Sequence, residues 1–245
     1  MNMIENERNI RDAATAVTRD QLGRIEPGYP AKEICELGRA DMERFCVCGG
    51  ERRRRAFIME MAIRQAEAGD RPLVISLNGG YTPLAEYIPQ LRLYRVGDFS
   101  SVNVFSMVPH LPRYSTAISD MVGRIYGLSR DERGYLMRGV EMAYADGCHA
   151  PSMREIGDRL LQIQAEVQPK EAYKVECLKN VLWELESGIV GAMSERGEGQ
   201  FTLPAVIDLG QLPTWRERSL VAMVLMLRSL ETEATSLVVD PADWL

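Results

Sequence analysis

Apolar positions along the chain fall into two kinds of pattern: short β-branched runs closed by glycine or by an acid, and long stretches with apolar residues every three or four positions. The first short run, Phe-Cys-Val-Cys at 45–48, is closed by Gly49 and Gly50, and a helix is expected over 56–68. A second run at 73–77 is cut by Asn78-Gly79-Gly80 and followed by a short helical pattern at 84–87 and a third run at 91–96. Strand, helix and strand in this rhythm predict a parallel sheet covered by helices. From 113 to 196 no β-branched run survives; Ile118, Met121, Val122 and Ile125, then Val175, Leu178, Val181, Leu182 and Leu185, keep helical spacing. About four helices fit there, two of them beginning after Ser129 and Ser152, each of which has a glutamate three residues on, as in a capping box. Strand signals return at 203–208. A helix follows over 215–230 whose 220–227 stretch is apolar on every face and therefore expected to be buried on both sides. A last β-like run begins at Ser236 and reaches Asp240.

Composition sets the class. With 245 residues, 46% apolar and 26% charged, the chain reads as one large or two small globular domains, which excludes collagen-like, disordered and disulfide-scaffold proteins. The longest charge-free apolar stretch, 220–227, falls far short of the roughly 20 residues of a spanning helix. The first dozen residues mix charged and apolar types without the apolar core of a secretory signal. A cytoplasmic protein with no membrane insertion is expected. Cys35, Cys46, Cys48, Cys148 and Cys177 form no CxxC pair, so neither a disulfide framework nor a zinc knuckle is indicated, and Cys46 and Cys48 read as strand core. His110 and His149 read as loop residues.

A net charge of −6 argues against a protein that simply coats nucleic acid, but charge is local: Arg52, Arg53, Arg54 and Arg55 stand together. Positive charge at a helix start opposes the macrodipole by roughly 0.3–1 kcal/mol per residue, so an anion nearby is expected. Glu51, an acidic partner, a nucleotide and nucleic acid all qualify, and Arg52 and Arg53 are the candidate anion patch; an ordinary solvated helix start is the alternative. Asp208 and Asp240 end strands, as metal ligands do and as helix caps also do; Asp240 is the candidate for metal.

A glycine-ended strand opening into a helix is the setting of a phosphate cradle, because helix-terminal N–H groups and the dipole both attract an anion. The regular loop is GxxxxGK[ST]. Here the window from Gly49 to Ala56 keeps the first glycine but has Arg54 for the second, Arg55 for the lysine and Ala56 for the hydroxyl.

In this arrangement the chain resembles the HerA-like branch of the additional-strand P-loop ATPases, the superfamily of FtsK, HerA and the conjugative ATPases. After the altered loop, Leu73-Val-Ile-Ser-Leu-Asn-Gly-Gly-Tyr81 is similar to the family's strand ending in Asp-Pro-x-Gly-Glu-Tyr, and Leu93-Tyr-Arg-Val-Gly-Asp98 to the strand after it. Pro204-Ala-Val-Ile-Asp-Leu-Gly-Gln-Leu212 is similar to its Ile-Asp-Leu-Ser strand and turn, and Leu237-Val-Val-Asp-Pro-Ala-Asp-Trp244 to its Walker B strand. The resemblance implies a three-layer, RecA-like α/β fold with a mostly parallel sheet and an all-helical insertion: a helical lead-in over 1–40, a core of 41–112 and 200–245, and the insertion over 113–199. It implies ATP and Mg²⁺ as cofactors, nucleotide contacts at Gly49, Gly50, Arg54, Arg55 and Ala56, and metal at Asp240. Ser76 and Gly80 stand where the family has acids, and Pro241 where it has the glutamate that activates water. Phosphoryl transfer is almost wholly positioning and charge stabilisation, and each missing part commonly costs roughly 10²-fold or more. A degenerate ATPase domain with no catalytic residues is therefore expected, acting as structural or regulatory partner of a DNA-translocating ATPase. The alternatives are a divergent nucleotide-binding NTPase using Arg55 in place of the lysine, and an interaction module that binds no nucleotide. In the family further strands follow Walker B, one of them inserting beside it, and no residues of this sequence are assigned to them. A homo-oligomer or a partner ATPase chain is expected to cover that edge, with nucleic acid a further candidate partner.

Overall fold

The computed structural model describes residues 50–95, 102–106, 114–194, 201–229 and 236–240. The expected lead-in over 1–40, the strand at 45–48, Gly49, His110 and Pro241 lie outside the described residues. The chain divides into two compact units, Met1–Asp70 with Gly80–Pro89, and Arg71–Gly79 with Gln90–Leu245.

The first unit carries α1 (Glu51–Glu67) and the single turn α2 (Leu84–Tyr87). Helix α1 starts at Glu51, not at 56 as the pattern suggests, so the arginine run is helical throughout. Arginine is a good helix former, and Glu51 both complements the dipole in the first turn and pairs with Arg55 one turn on, at 2.7 Å. Gly50 is the N-cap, and Gly69, at φ +85°, takes the left-handed conformation that ends the helix. Between Phe57 and Ile63 every side chain of α1 is buried.

The second unit is built on β1 (Pro72–Ser76), β2 (Arg92–Arg95), β3 (Ala205–Asp208) and β4 (Ser236–Asp240), all parallel in the order β2-β3-β1-β4. Strand β1 lies inside the sheet and is buried along its whole length, which is why it reads as a continuous apolar run and not as an alternation. Leu73 and Ile75 are fully buried, a gain of roughly 1.5–3 kcal/mol each. Strand β2 ends the sheet on the other side with Arg92 and Arg95 exposed, charges that discourage edge pairing.

Between β2 and β3 come α3 (Tyr114–Tyr126), α4 (Arg130–Ala145), α5 (Met153–Glu166), α6 (Pro169–Ser187) and the short α7 (Ile189–Ser194). Both expected capping boxes form, Ser129 with Glu132 and Ser152 with Glu155. Helix α8 (Trp215–Ser229) packs against β1 and β4 on one side and α3 on the other, so Leu220, Val221, Ala222, Val224 and Leu225 are all buried. A single apolar core runs from the sheet through α8 into the helices of 114–194. The segment 102–106 ties into it by polar bonds: the buried Asn103 donates to the carbonyls of Ala150 and Pro151, Tyr114 and Tyr144 donate to those of Val104 and Phe105, and Arg228 donates to that of Asn103. Burial pushes the Tyr144 hydroxyl far above its ordinary range, which keeps it a donor.

Candidate functional site

In the second unit, chemistry-bearing residues gather where the parallel strands end. Arg95, Asp208, Ser76 and Asp240 close β2, β3, β1 and β4 in one register row, and so share one face of the sheet. The carboxyl edge of an open parallel sheet is where such folds bind ligands. Ser76 donates its hydroxyl to the Gly79 carbonyl at 3.1 Å, folding the Asn78-Gly79 turn back on the strand. Gly79 is at φ +75°, and a Cβ there would sit 3.2 Å from Oδ2 of Asp208. Asp208 accepts from the Gly210 amide at 2.8 Å, so its carboxylate sits between two glycine turns and would have to give way to a side chain in either. Asp240 is buried at 3% exposure, and its carbonyl accepts from the Leu77 amide at 2.8 Å.

Arg218, from the first turn of α8, holds these turns together. Its Nε donates to the Leu212 carbonyl at 2.8 Å, Nη1 to the Leu77 carbonyl at 3.2 Å and to Asn78 Oδ1 at 3.1 Å, and Nη2 to the Gly210 carbonyl at 3.1 Å. Only a planar fork of donors serves carbonyls in three directions; the point charge of a lysine does not. Thr214 and Glu217 form a further N-terminal box that fixes the start of α8: Glu217 Oε2 accepts from the Thr214 amide at 3.1 Å and its hydroxyl at 2.8 Å, while Thr214 Oγ1 accepts from the Glu217 amide at 3.2 Å.

In the first unit, the described part of the window expected to cradle phosphate, residues 50–56, is helical from Glu51 on. Gly50 is extended at φ −59° and ψ 142°, and the Arg53 and Arg54 amides already donate to its carbonyl at 3.0 Å. With Glu51 to Ala56 helical, their peptide groups run along the helix axis instead of wrapping an anion. The Arg55 guanidinium donates to Glu51 at 2.7 Å, lies 5.8 Å from the Tyr81 ring centre and covers Gly80, where a Cβ would fall 2.3 Å from Cζ. Its Nε is buried with no hydrogen-bond partner. Ala56 offers no hydroxyl to a metal. This donor set does not fit Mg²⁺-ATP as a working P-loop holds it. Among the described residues no group of three or more His, Cys, Asp or Glu is placed to bind a metal ion, and no helix is long and apolar enough to cross a membrane.

No family model matches the sequence, and no curated protein matches it. Among solved structures, that of VirB4 of Thermoanaerobacter pseudethanolicus is similar over 78% of this chain and 81% of that chain, with a TM-score of 0.56 and 13% identity. The chain has an α/β, RecA-like fold with a parallel sheet. At that identity the likeness is one of fold, and the chemistry has to be read from the residues present.

The residues named from sequence divide between the two units. Gly50, Arg52, Arg53, Arg54, Arg55 and Ala56 lie on or beside α1, with Gly50, Arg52 and Arg53 exposed; Asp208 and Asp240 lie on the carboxyl edge of the sheet. The sequence alone points to no role for Arg218, and it places Asn78 and Tyr81 in a motif without showing what they contact. The Thr214-x-x-Glu217 spacing was the available signal near Arg218; nothing local announces its long-range bonds.

Proposed function

We propose that this chain is a catalytically degenerate relative of the HerA-like ATPases, one that keeps the fold and has lost the phosphate-handling loop, and that serves as a structural or regulatory partner of a DNA-translocating ATPase. The observation that carries the reading is the state of Arg55. The residue aligned with the P-loop lysine is helical, engaged by Glu51 and stacked near Tyr81, with alanine after it. Loss of the lysine, the hydroxyl and the water-activating acid together removes the charge stabilisation on which phosphoryl transfer depends. The likeness to VirB4 supports the ancestry, and the arginine-rich start of α1 supports an acidic partner surface.

Nucleotide titration with a parallel turnover assay separates the readings. Thermal stabilisation by ATP with Mg²⁺ and measurable turnover supports a divergent NTPase, stabilisation without turnover a nucleotide-binding pseudoenzyme, and neither a pure interaction module. We expect no turnover above the background of the reagents. Light scattering and co-purification with a translocase of the same cell then test the partner role; a stable monomer that captures no ATPase contradicts it.

A further inference from the structure

We propose that the helical region carries a binding site for a phosphoryl group, in a cavity between α3 and α4. The cavity has a volume of about 270 Å³ and is lined by Thr116, Ser119, Asp120, Arg130, Arg133 and their neighbours. Two donors of its lining residues are buried with no acceptor. Ser119 is 2% exposed, and its hydroxyl has no hydrogen-bond partner, although a helical serine ordinarily bonds back to its own turn. Arg133 Nε is likewise buried and without an acceptor. Buried donors are almost always satisfied, so two in one cavity call for an acceptor that enters from outside.

The local charge says which kind. Arg133 Nη1 meets Asp120 Oδ1 at 3.2 Å, so one side of the guanidinium is neutralised and the Nε side is not. Arg130, at the rim, makes no ion pair among the described residues. Of the neighbouring acids, Asp131 pairs with Lys174 at 2.6 Å while also feeling the Arg130 charge, and Glu132 accepts from the Ser129 amide at 2.7 Å. Two guanidiniums against one carboxylate, beside a buried hydroxyl, suit a compact oxyanion with several acceptor oxygens. A water fills about 30 Å³ of liquid, so the cavity holds a phosphoryl group with space left for a small organic part. The position of Arg133 is built in. Its stem crosses α3 at Gly123, where a Cβ would lie 2.1 Å from Arg133 Cδ, so a larger residue at 123 drives the guanidinium out of the cavity.

The test is calorimetric titration of the full chain with inorganic phosphate, and separately with AMP, in Mg²⁺-free chloride buffer. Wild type should bind phosphate saturably in the millimolar range. Ser119→Ala and Arg133→Gln should each weaken it tenfold or more, and Gly123→Ala, which displaces the Arg133 stem, should do the same. Ser119→Ala removes only a hydroxyl that bonds nothing, so it folds even where an arginine variant fails. AMP binding tenfold tighter than phosphate, and lost in the same variants, assigns the group to a phosphomonoester; equal affinity assigns it to free phosphate. Absence of saturable phosphate binding to wild type, or equal affinity in Ser119→Ala and Arg133→Gln, overturns the proposal and leaves the donors to water.

Discussion

Replacing Arg218 is the most informative single change in the sheet-bearing unit. The side chain makes four bonds at 2.8 to 3.2 Å, three to backbone carbonyls of the turns after β1 and β3 and one to Asn78. Hydrogen bonds from charged donors are worth roughly 1.5–3 kcal/mol when buried, but Arg218 is half-buried and water can reach the freed carbonyls, so roughly 0.5–1 kcal/mol per bond is the better figure. Arg218→Ala should therefore cost about 2–4 kcal/mol, and at about 2–4 °C per kcal/mol the melting temperature should fall by roughly 5–15 °C. Arg218→Lys should recover about half, since one ammonium cannot serve carbonyls lying in three directions. The acceptors are neutral, so the deficit should be nearly independent of ionic strength, unlike that of a surface ion pair. Urea unfolding followed by circular dichroism at two salt concentrations measures all of this. A loss below about 1 kcal/mol, or a lysine variant as stable as wild type, would refute the clamp.

Three further outcomes are expected. Ser152→Ala should lower stability by about 1 kcal/mol through loss of the cap on α5. Glu155 is held below its ordinary range chiefly by the Ser152 amide; because its folded value lies below the unfolded one, its contribution is full above the ordinary glutamate range and lost as the pH falls through the folded value. A pH series of melts on wild type and Glu155→Gln should therefore converge in acid. Gly79→Ala should be more costly than Gly127→Ala: both sites are left-handed, at roughly 1–2 kcal/mol, but a Cβ at 79 meets Asp208 and one at 127 meets open space, so equal losses in denaturant titrations would contradict the packing at the sheet edge. Placing Lys and Thr at 55 and 56 together should not create ATP turnover, because residues 51–56 are already helical and not a loop; a phosphate-release assay showing activity would disprove this.

What was legible in the sequence was what is encoded locally. The capping boxes were visible because donor and acceptor lie three residues apart, and the strands because burial on both sides leaves an apolar run such as Leu73-Val74-Ile75. The two-sided apolar stretch of α8 likewise announced a helix packed between the sheet and α3. The start of α1 was misplaced because Gly49-Gly50 and four arginines read as a loop, although the Glu51 to Arg55 spacing is itself a helix signal. Arg218 was illegible for a different reason: its partners include the Leu77 carbonyl, 141 residues away, and a backbone carbonyl has no sequence signature. Ser119 and Arg133 share a cavity only because α3 packs on α4.

The central proposal is that this RecA-like fold lacks the ability to handle Mg²⁺-ATP. Steady-state ATP hydrolysis by the purified chain, with and without Mg²⁺ and with Arg55→Ala as control, tests it most directly. Rates indistinguishable from buffer in all three samples are expected. Mg²⁺-dependent turnover of the order of 1 s⁻¹ or more that disappears in Arg55→Ala would contradict the claim outright.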